Sequence, residues 1–379
     1  MRDKGSWSEA TYKSSVAEVR TLGSGSATYR GEQRVREGKG LDPLVDPSKY
    51  DVVRCSNNLL VPKDDGTFVL EFGAAMPVET DFDTTGSMGG NVGVAFRVLP
   101  KVQNLLVQGK NAILRRYHTQ IATGVIQDKV DQFAYERSQF EPDNEVERQM
   151  GLLVPERSGG DATEDYQIAL FALAYLTKTS ISRYGLRGYY FPLGDEIGRD
   201  ALTRSVMDKV FGSSVWEKAF GSDVPQNLPT TLEIGKKLLQ DWHAFFLQVG
   251  NNSETTKWWS RVLGKERVIR LPRTEDIAEV QACIIGLTEG VLDLQSAGEF
   301  LREAGMSRER AIATIEAVRG IPIGLQKTFP NFDRIPMAGA VFASRDDIWP
   351  IGTKGADVED TALPGLKKTS KTKKDGWKL

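Results

Sequence analysis

Between residues 50 and 292 the apolar positions switch back and forth between a period of two and a period near 3.6. Asp51-Val-Val-Arg54 and Thr67-Phe-Val-Leu-Glu-Phe72 alternate as strands do, and Lys63-Asp-Asp-Gly66 between them reads as a turn, which predicts a hairpin. Residues 74–80 follow as a strand. Val92, Ala95, Phe96, Leu99, Val102 and Leu106 then mark one helix face, with a kink expected at Pro100. Further strands are expected over 119–126, 188–194, 243–249 and 267–271. Helices are expected over 166–176, around Leu202, Val206 and Val210, over 232–239, from Trp258 and Trp259, and along Ile277, Val280, Ile284 and Leu287. The run from Tyr166 to Leu176 is apolar nearly all round, so that helix should be buried on most sides. Strand and helix in alternation predict an α/β fold, a three-layer sandwich.

The flanks differ from this centre. Residues 1–49 are polar, rich in Ser, Gly, Arg and Glu, and read as an arm with one short helix. Residues 293–335 carry helical spacing without strands: Phe300, Leu301 and Ala304, then Ala311, Ile315 and Val318, form a helical hairpin split at Gly305 and capped by Ser307. Residues 336–379 are irregular and end in the basic run Leu366-Lys-Lys-Thr-Ser-Lys-Thr-Lys-Lys374, which reads as a disordered tail.

Composition narrows the function classes. The chain has 379 residues, 40% apolar and 26% charged, with a net charge of −2, so overall charge favours neither a nucleic-acid nor a membrane partner. Two cysteines are too few for a disulfide framework, and two distant histidines make a zinc site an unexpected one. The N-terminus has no apolar signal core and no stretch reaches a membrane span, so a cytoplasmic location is expected.

Candidate chemistry concentrates in Asp81-Phe-Asp-Thr-Thr-Gly-Ser-Met88, at a strand-to-helix turn, where open α/β sheets bind ligands. Asp83, Thr85 and Ser87 fall at every second position. A turn wrapped round a point can aim their hard oxygens at one magnesium or manganese ion. An EF-hand loop fits the first half of this stretch but fails at its twelfth position, Val92. Asp81-x-Asp83-x-Thr85 resembles the hallmark of haloacid dehalogenase-type phosphatases, in which Asp81 would attack phosphorus, Asp83 would act as acid and base, and Asp81, Asp83, Asp195 and Asp200 would hold magnesium. Against that, no lysine stands at a helix start to neutralise the phosphate, and Ser87 is left without a role.

Asp83-Thr-Thr85-Gly-Ser87 also resembles the metal-ion-dependent adhesion site of von Willebrand factor A domains. Gln139-Phe-Glu-Pro-Asp-Asn144, Glu164-Asp-Tyr166 and Gly188-Tyr-Tyr-Phe-Pro-Leu-Gly-Asp-Glu196 follow in the order seen in a bacterial and phage intracellular subgroup of that family. The resemblance implies a Rossmann-like fold with a mostly parallel central sheet. It implies metal ligands Asp83, Thr85 and Ser87 from a first loop, Thr163 (with Asp161 competing) from a second, and Asp195 from a third. Asp161, Glu164 and Glu196 would stand behind them. It further implies a Mg2+ or Mn2+ ion that captures an Asp or Glu of a partner protein, and no catalysis. Proteins of this kind often work beside a MoxR-type AAA+ ATPase, which is the partner the resemblance suggests; a structural role in a multiprotein or phage particle is the other.

Overall fold

The structure, a computed structural model, describes residues 30–50, 52–55, 60–107, 112–143, 145–156 and 163–349. The N-terminal 29 residues, Asp161 and the basic run 366–374 lie outside them. Helix α1 (Arg30–Arg36) leads to β1 (Val53–Cys55), β2 (Leu60–Pro62) and β3 (Phe68–Leu70). Then come β4 (Ala74–Asp83), α2 (Asn91–Val98), α3 (Lys101–Val107), β5 (Tyr117–Ile126), β6 (Tyr135–Arg137) and α4 (Glu145–Met150). The next stretch holds β7 (Thr163–Glu164), α5 (Tyr166–Tyr175), β8 (Thr177–Thr179), β9 (Gly188–Gly194), β10 (Ile197–Gly198), α6 (Arg204–Phe211) and α7 (Val215–Phe220). After α8 (Thr231–Asp241) the chain forms β11 (Trp242–Ala244), β12 (Phe246–Gln248), α9 (Ser253–Leu263) and β13 (Val268–Arg270). Helices α10 (Ile277–Glu289), α11 (Leu294–Glu303) and α12 (Arg308–Val318) and the short strand β14 (Val341–Phe342) complete it.

The central sheet runs β13-β12-β9-β4-β5-β6, with β11 also paired to β9. All its pairings are parallel except β5 with β6. Alternation along the strands divides the core into two layers. Met76, Val78 and Phe82 of β4, with Tyr189, Phe191 and Leu193 of β9, face α2, α3 and α10. Ala75 of β4, Ala122 and Ile126 of β5 and Tyr190 of β9 face α5, α6, α8 and α9. This is the expected α/β sandwich: a mostly parallel sheet with a helical layer on each face.

The chain leaves β4 through α2 and α3 to reach β5 on one side, and later returns to β9 on the other. The carboxyl ends of β4 and β9 therefore flank a switch in strand order, where such sheets leave a crevice.

Several local expectations change. The helix read through Pro100 breaks there into α2 and α3, because proline cannot donate to the turn before it. The hairpin forms from β2 and β3, while Val53–Cys55 pairs in parallel with β8. The strand read over 243–249 is two, β11 and β12, interrupted at Phe245, with both on β9. Trp258 and Trp259 lie within α9, not at its start. β14, in the stretch read as irregular, adds antiparallel to β3. The helical hairpin forms as read, with Ser307 Oγ accepting from Arg310 N at 3.4 Å.

Candidate metal centre

Three acids, Glu79, Asp81 and Asp83, alternate along one face of β4, and all are fully buried. Each meets a different partner. Arg137 donates Nε to Glu79 Oε1 at 2.5 Å and Nη2 to Oε2 at 2.6 Å, a bidentate pair. Asp81 Oδ2 accepts from Tyr135 at 2.9 Å and Tyr190 at 3.2 Å. Burial and the neighbouring Glu79 carboxylate push Asp81 well above the usual carboxylate range. Gly124, in register on β5, leaves room for it: a Cβ there would stand 2.3 Å from Asp81 Oδ1. Asp81 is therefore a sheet residue closed under two phenols. Asp200, exposed, accepts from Trp258 Nε1 at 3.2 Å and Arg261 Nη2 at 2.7 Å. Asp81 and Asp200, two of the acids that a dehalogenase-type phosphatase would need, thus have separate surroundings.

Asp83, at the end of β4, opens the rim. Its Oδ1 accepts from Thr85 N at 2.8 Å and Thr85 Oγ1 at 2.6 Å, an Asx turn that curls the loop back. Its Oδ2 accepts from the Tyr166 phenol at 2.7 Å. Thr85 Oγ1 stands 3.3 Å from Ser87 Oγ, and Ser87 Oγ donates to Asp195 Oδ1 at 2.9 Å. One unbroken chain of oxygens therefore runs Asp83–Thr85–Ser87–Asp195, joining residues 108 positions apart in sequence. Gly194 permits the approach: a Cβ there would lie 1.8 Å from Tyr166 Oη and 3.0 Å from Asp83 Cβ. Helix α9 holds the far side, with Thr255 Oγ1 donating to Asp195 O at 2.8 Å and Trp259 Nε1 to Glu196 O at 3.3 Å.

The second loop begins with Thr163 and Glu164. In the two-residue ladder of β7 with β10, neighbouring side chains point to opposite sides. The Thr163 hydroxyl accepts from Arg199 Nη1 at 2.8 Å. Arg199 also pairs with Asp128 at 2.8 Å and Asp165 at 3.1 Å, so Thr163 belongs to that ion cluster. Glu164 is buried and close enough to Asp83 to feel its charge. Its Oε2 is buried with no hydrogen-bond partner.

The electrostatics follow. Burial pushes Asp83 up to about 6 against its hydrogen bonds from Thr85 and Tyr166, with Asp195 adding repulsion. Burial, then repulsion from Asp83 and Asp128, takes Glu164 up to about 9. Burial raises Asp195 against the Ser87 hydrogen bond, and burial and then Asp195 raise Glu196. No lysine or arginine is among the leading influences on these four acids.

Among the described residues no three His, Cys, Asp or Glu side chains are grouped as ligands for a metal ion. The oxygen chain has a different donor set, with two hydroxyls between two carboxylates. That set suits a hard divalent cation, and the orphaned Glu164 oxygen is an acceptor that such a cation or its bound water would satisfy. Sequence reasoning gave Tyr166, Arg199, Thr255 and Trp259 no part in this arrangement. Arg199 had one signal, since Asp128 and Asp165 needed a cation.

No protein-family profile and no curated sequence matches the chain. Among solved structures, the pilus adhesin SpaC from Lactobacillus rhamnosus GG, in its open conformation, is similar with a TM-score of 0.39 at 13% identity, over 56% of this chain and 30% of that one. Proximal thread matrix protein 1 from the mussel byssus, with a zinc-occupied MIDAS motif, is similar with a TM-score of 0.36 at 11% identity, over 57% of this chain and 46% of that one. The chain thus spans less than half the length of either structure.

Proposed function

We propose that this chain is a metal-dependent protein-interaction module of the von Willebrand factor A type. The observation that carries the reading is the Ser87–Asp195 hydrogen bond, which closes the rim between β4 and β9. Asp83, Thr85, Ser87 and Asp195 would hold the ion, with Glu164 taking the place expected for Thr163. A bound Mg2+ or Mn2+ supplies a Lewis-acidic point that takes a carboxylate from outside. The protein's own groups do the rest. Tyr166 fixes one Asp83 oxygen, the Asx turn fixes the other, and α9 anchors the loop carrying Asp195. Ser87 is exposed and Asp195 half-buried, so the rim is open to a partner side chain. The partner is a protein presenting Asp or Glu; a MoxR-type AAA+ ATPase is the specific partner proposed, with the helical extension 293–335 and the arm 1–49 as the parts that would set the choice.

The test is thermal unfolding with magnesium or EDTA. Magnesium at about a hundred times its dissociation constant should stabilise the protein by about 2.7 kcal/mol. Ser87→Ala, at an exposed position, should leave the EDTA melting temperature in place and remove most of that gain. Equal melting of the native chain with magnesium, manganese and EDTA sinks the reading.

A further inference from the structure

A second feature lies on the same edge of the sheet. Beyond β12 and β13, Val249, Gly250, Arg270, Leu271 and Arg273 line an open cleft of 590 Å³, walled on its far side by Ala313 and Glu316 of α12. The cleft adjoins the candidate metal centre at two points. Val249 N donates to Gly194 O at 2.8 Å, one residue before Asp195. Thr274 Oγ1, also in the lining, donates to Asn91 Oδ1 at 2.7 Å, at the start of the helix that follows the Ser87 loop.

Its charge is opposite to that of the centre. Arg270 is exposed and donates Nε to the Gly250 carbonyl at 3.1 Å, and among the described residues no carboxylate is paired with it. Arg273 is exposed and 3.7 Å from Glu275, a loose surface pair. Glu316 is the one acid of the lining, and Arg319 holds it at 2.6 Å. An arginine fork with only a backbone carbonyl on it is suited to a carboxylate.

We infer that the partner segment is an extended acidic peptide that spans both features, with one carboxylate at the metal centre and a second on Arg270 and Arg273. This rests on the metal-centre reading and adds the spacing of the acids. Adjacent strands are about 4.8 Å apart, so β13 lies about 10 Å from β9 and about 14 Å from β4. An extended chain covers that span in about three to four residue steps, and the residue four steps on, at i+4, points its side chain the same way as the first. The matching segment therefore carries acids at positions i and i+4.

The test uses the full chain on two peptide resins, Asp-Ser-Ser-Ser-Glu and Asp-Ser-Ser-Ser-Gln, with magnesium or EDTA. In magnesium the diacid resin should retain the protein about fivefold more strongly than the monoacid. Arg270→Gln with Arg273→Gln, both at exposed positions, should abolish that difference and leave monoacid retention unchanged. Equal retention of the native chain on both resins overturns the spacing inference and leaves the metal-centre reading standing. Arginine-dependent retention of the diacid in EDTA supports the cleft and overturns the metal-centre reading. No retention on either resin under either condition overturns both.

Discussion

At the scale of single residues, the rim depends on one missing side chain. Tyr166 reaches Asp83 only because Gly194 presents no Cβ where its phenol oxygen lies. Gly194→Ala forces the tyrosine or the strand end to move. Overpacking of this kind costs about 1–3 kcal/mol, which urea unfolding will measure. The same change leaves an Asp83 oxygen without its donor, so magnesium stabilisation should fall by more than the fold does. That contact cannot be found from sequence: the stretch 188–196 stands out as a motif, but nothing in it shows that Tyr166 will lie against Gly194. By contrast, Asp83, Thr85, Ser87 and Asp195, which hydrogen bonds join in the structure, could be singled out in the sequence, because oxygens at that spacing form a short motif. Between Thr163 and Glu164 the sequence does not choose, since a two-residue strand sends neighbouring side chains to opposite sides.

At the scale of elements, α9 supports the loop after β9. The Thr255 hydroxyl holds the Asp195 carbonyl, and the residue is fully buried. Thr255→Val keeps the shape and removes the bond, costing about 1 kcal/mol. The expected signature is weaker magnesium stabilisation, read by titrating the ion against melting temperature, with little loss of helix in circular dichroism. Long elements with a clear period, such as β4, β5, β9 and α10, were readable in outline. The short ones were not. Tyr135–Arg137 forms β6 with all three side chains buried, and its arginine is inside because Glu79 of β4 waits there. Such a strand has no alternation to betray it, and its ion partner is 58 residues away. Pro100 was legible because its effect on a helix is local.

At the scale of the whole molecule, buried titratable groups set the pH response. Glu289, at the end of α10, accepts from Tyr189 at 2.7 Å and Tyr117 at 3.0 Å, and burial pushes it up to about 7 from an ordinary 4.5. The folded protein therefore holds a proton there that the unfolded chain gives up, so this group's contribution to stability falls as pH rises from about 4.5 to about 7 and is flat above. The two histidines act oppositely. Burial lowers His118 to about 4 and His243 to about 3, so stability is lost as pH drops below 6.5 toward those values. Glu289→Gln should remove the first effect alone. Its stability relative to the native chain should rise with pH by up to about 1.4 kcal/mol per unit between pH 5 and 7, measured by urea unfolding across that range. Among the described residues no helix is long and apolar enough to cross a membrane.

Trp259 gives the molecule its own lamp. Its ring packs edge-on against Tyr166 at 5.1 Å and stacks on Phe246 at 4.0 Å, while its indole N–H touches the backbone beside Asp195. Any ion that draws Asp83 or the Asp195 loop inward must shift one of those neighbours, and indole emission changes with its surroundings. Magnesium should therefore alter the protein's intrinsic fluorescence without an added dye, and Trp259→Phe should darken the response although six other tryptophans remain. An unlabelled sample in a cuvette would then report when the rim is filled.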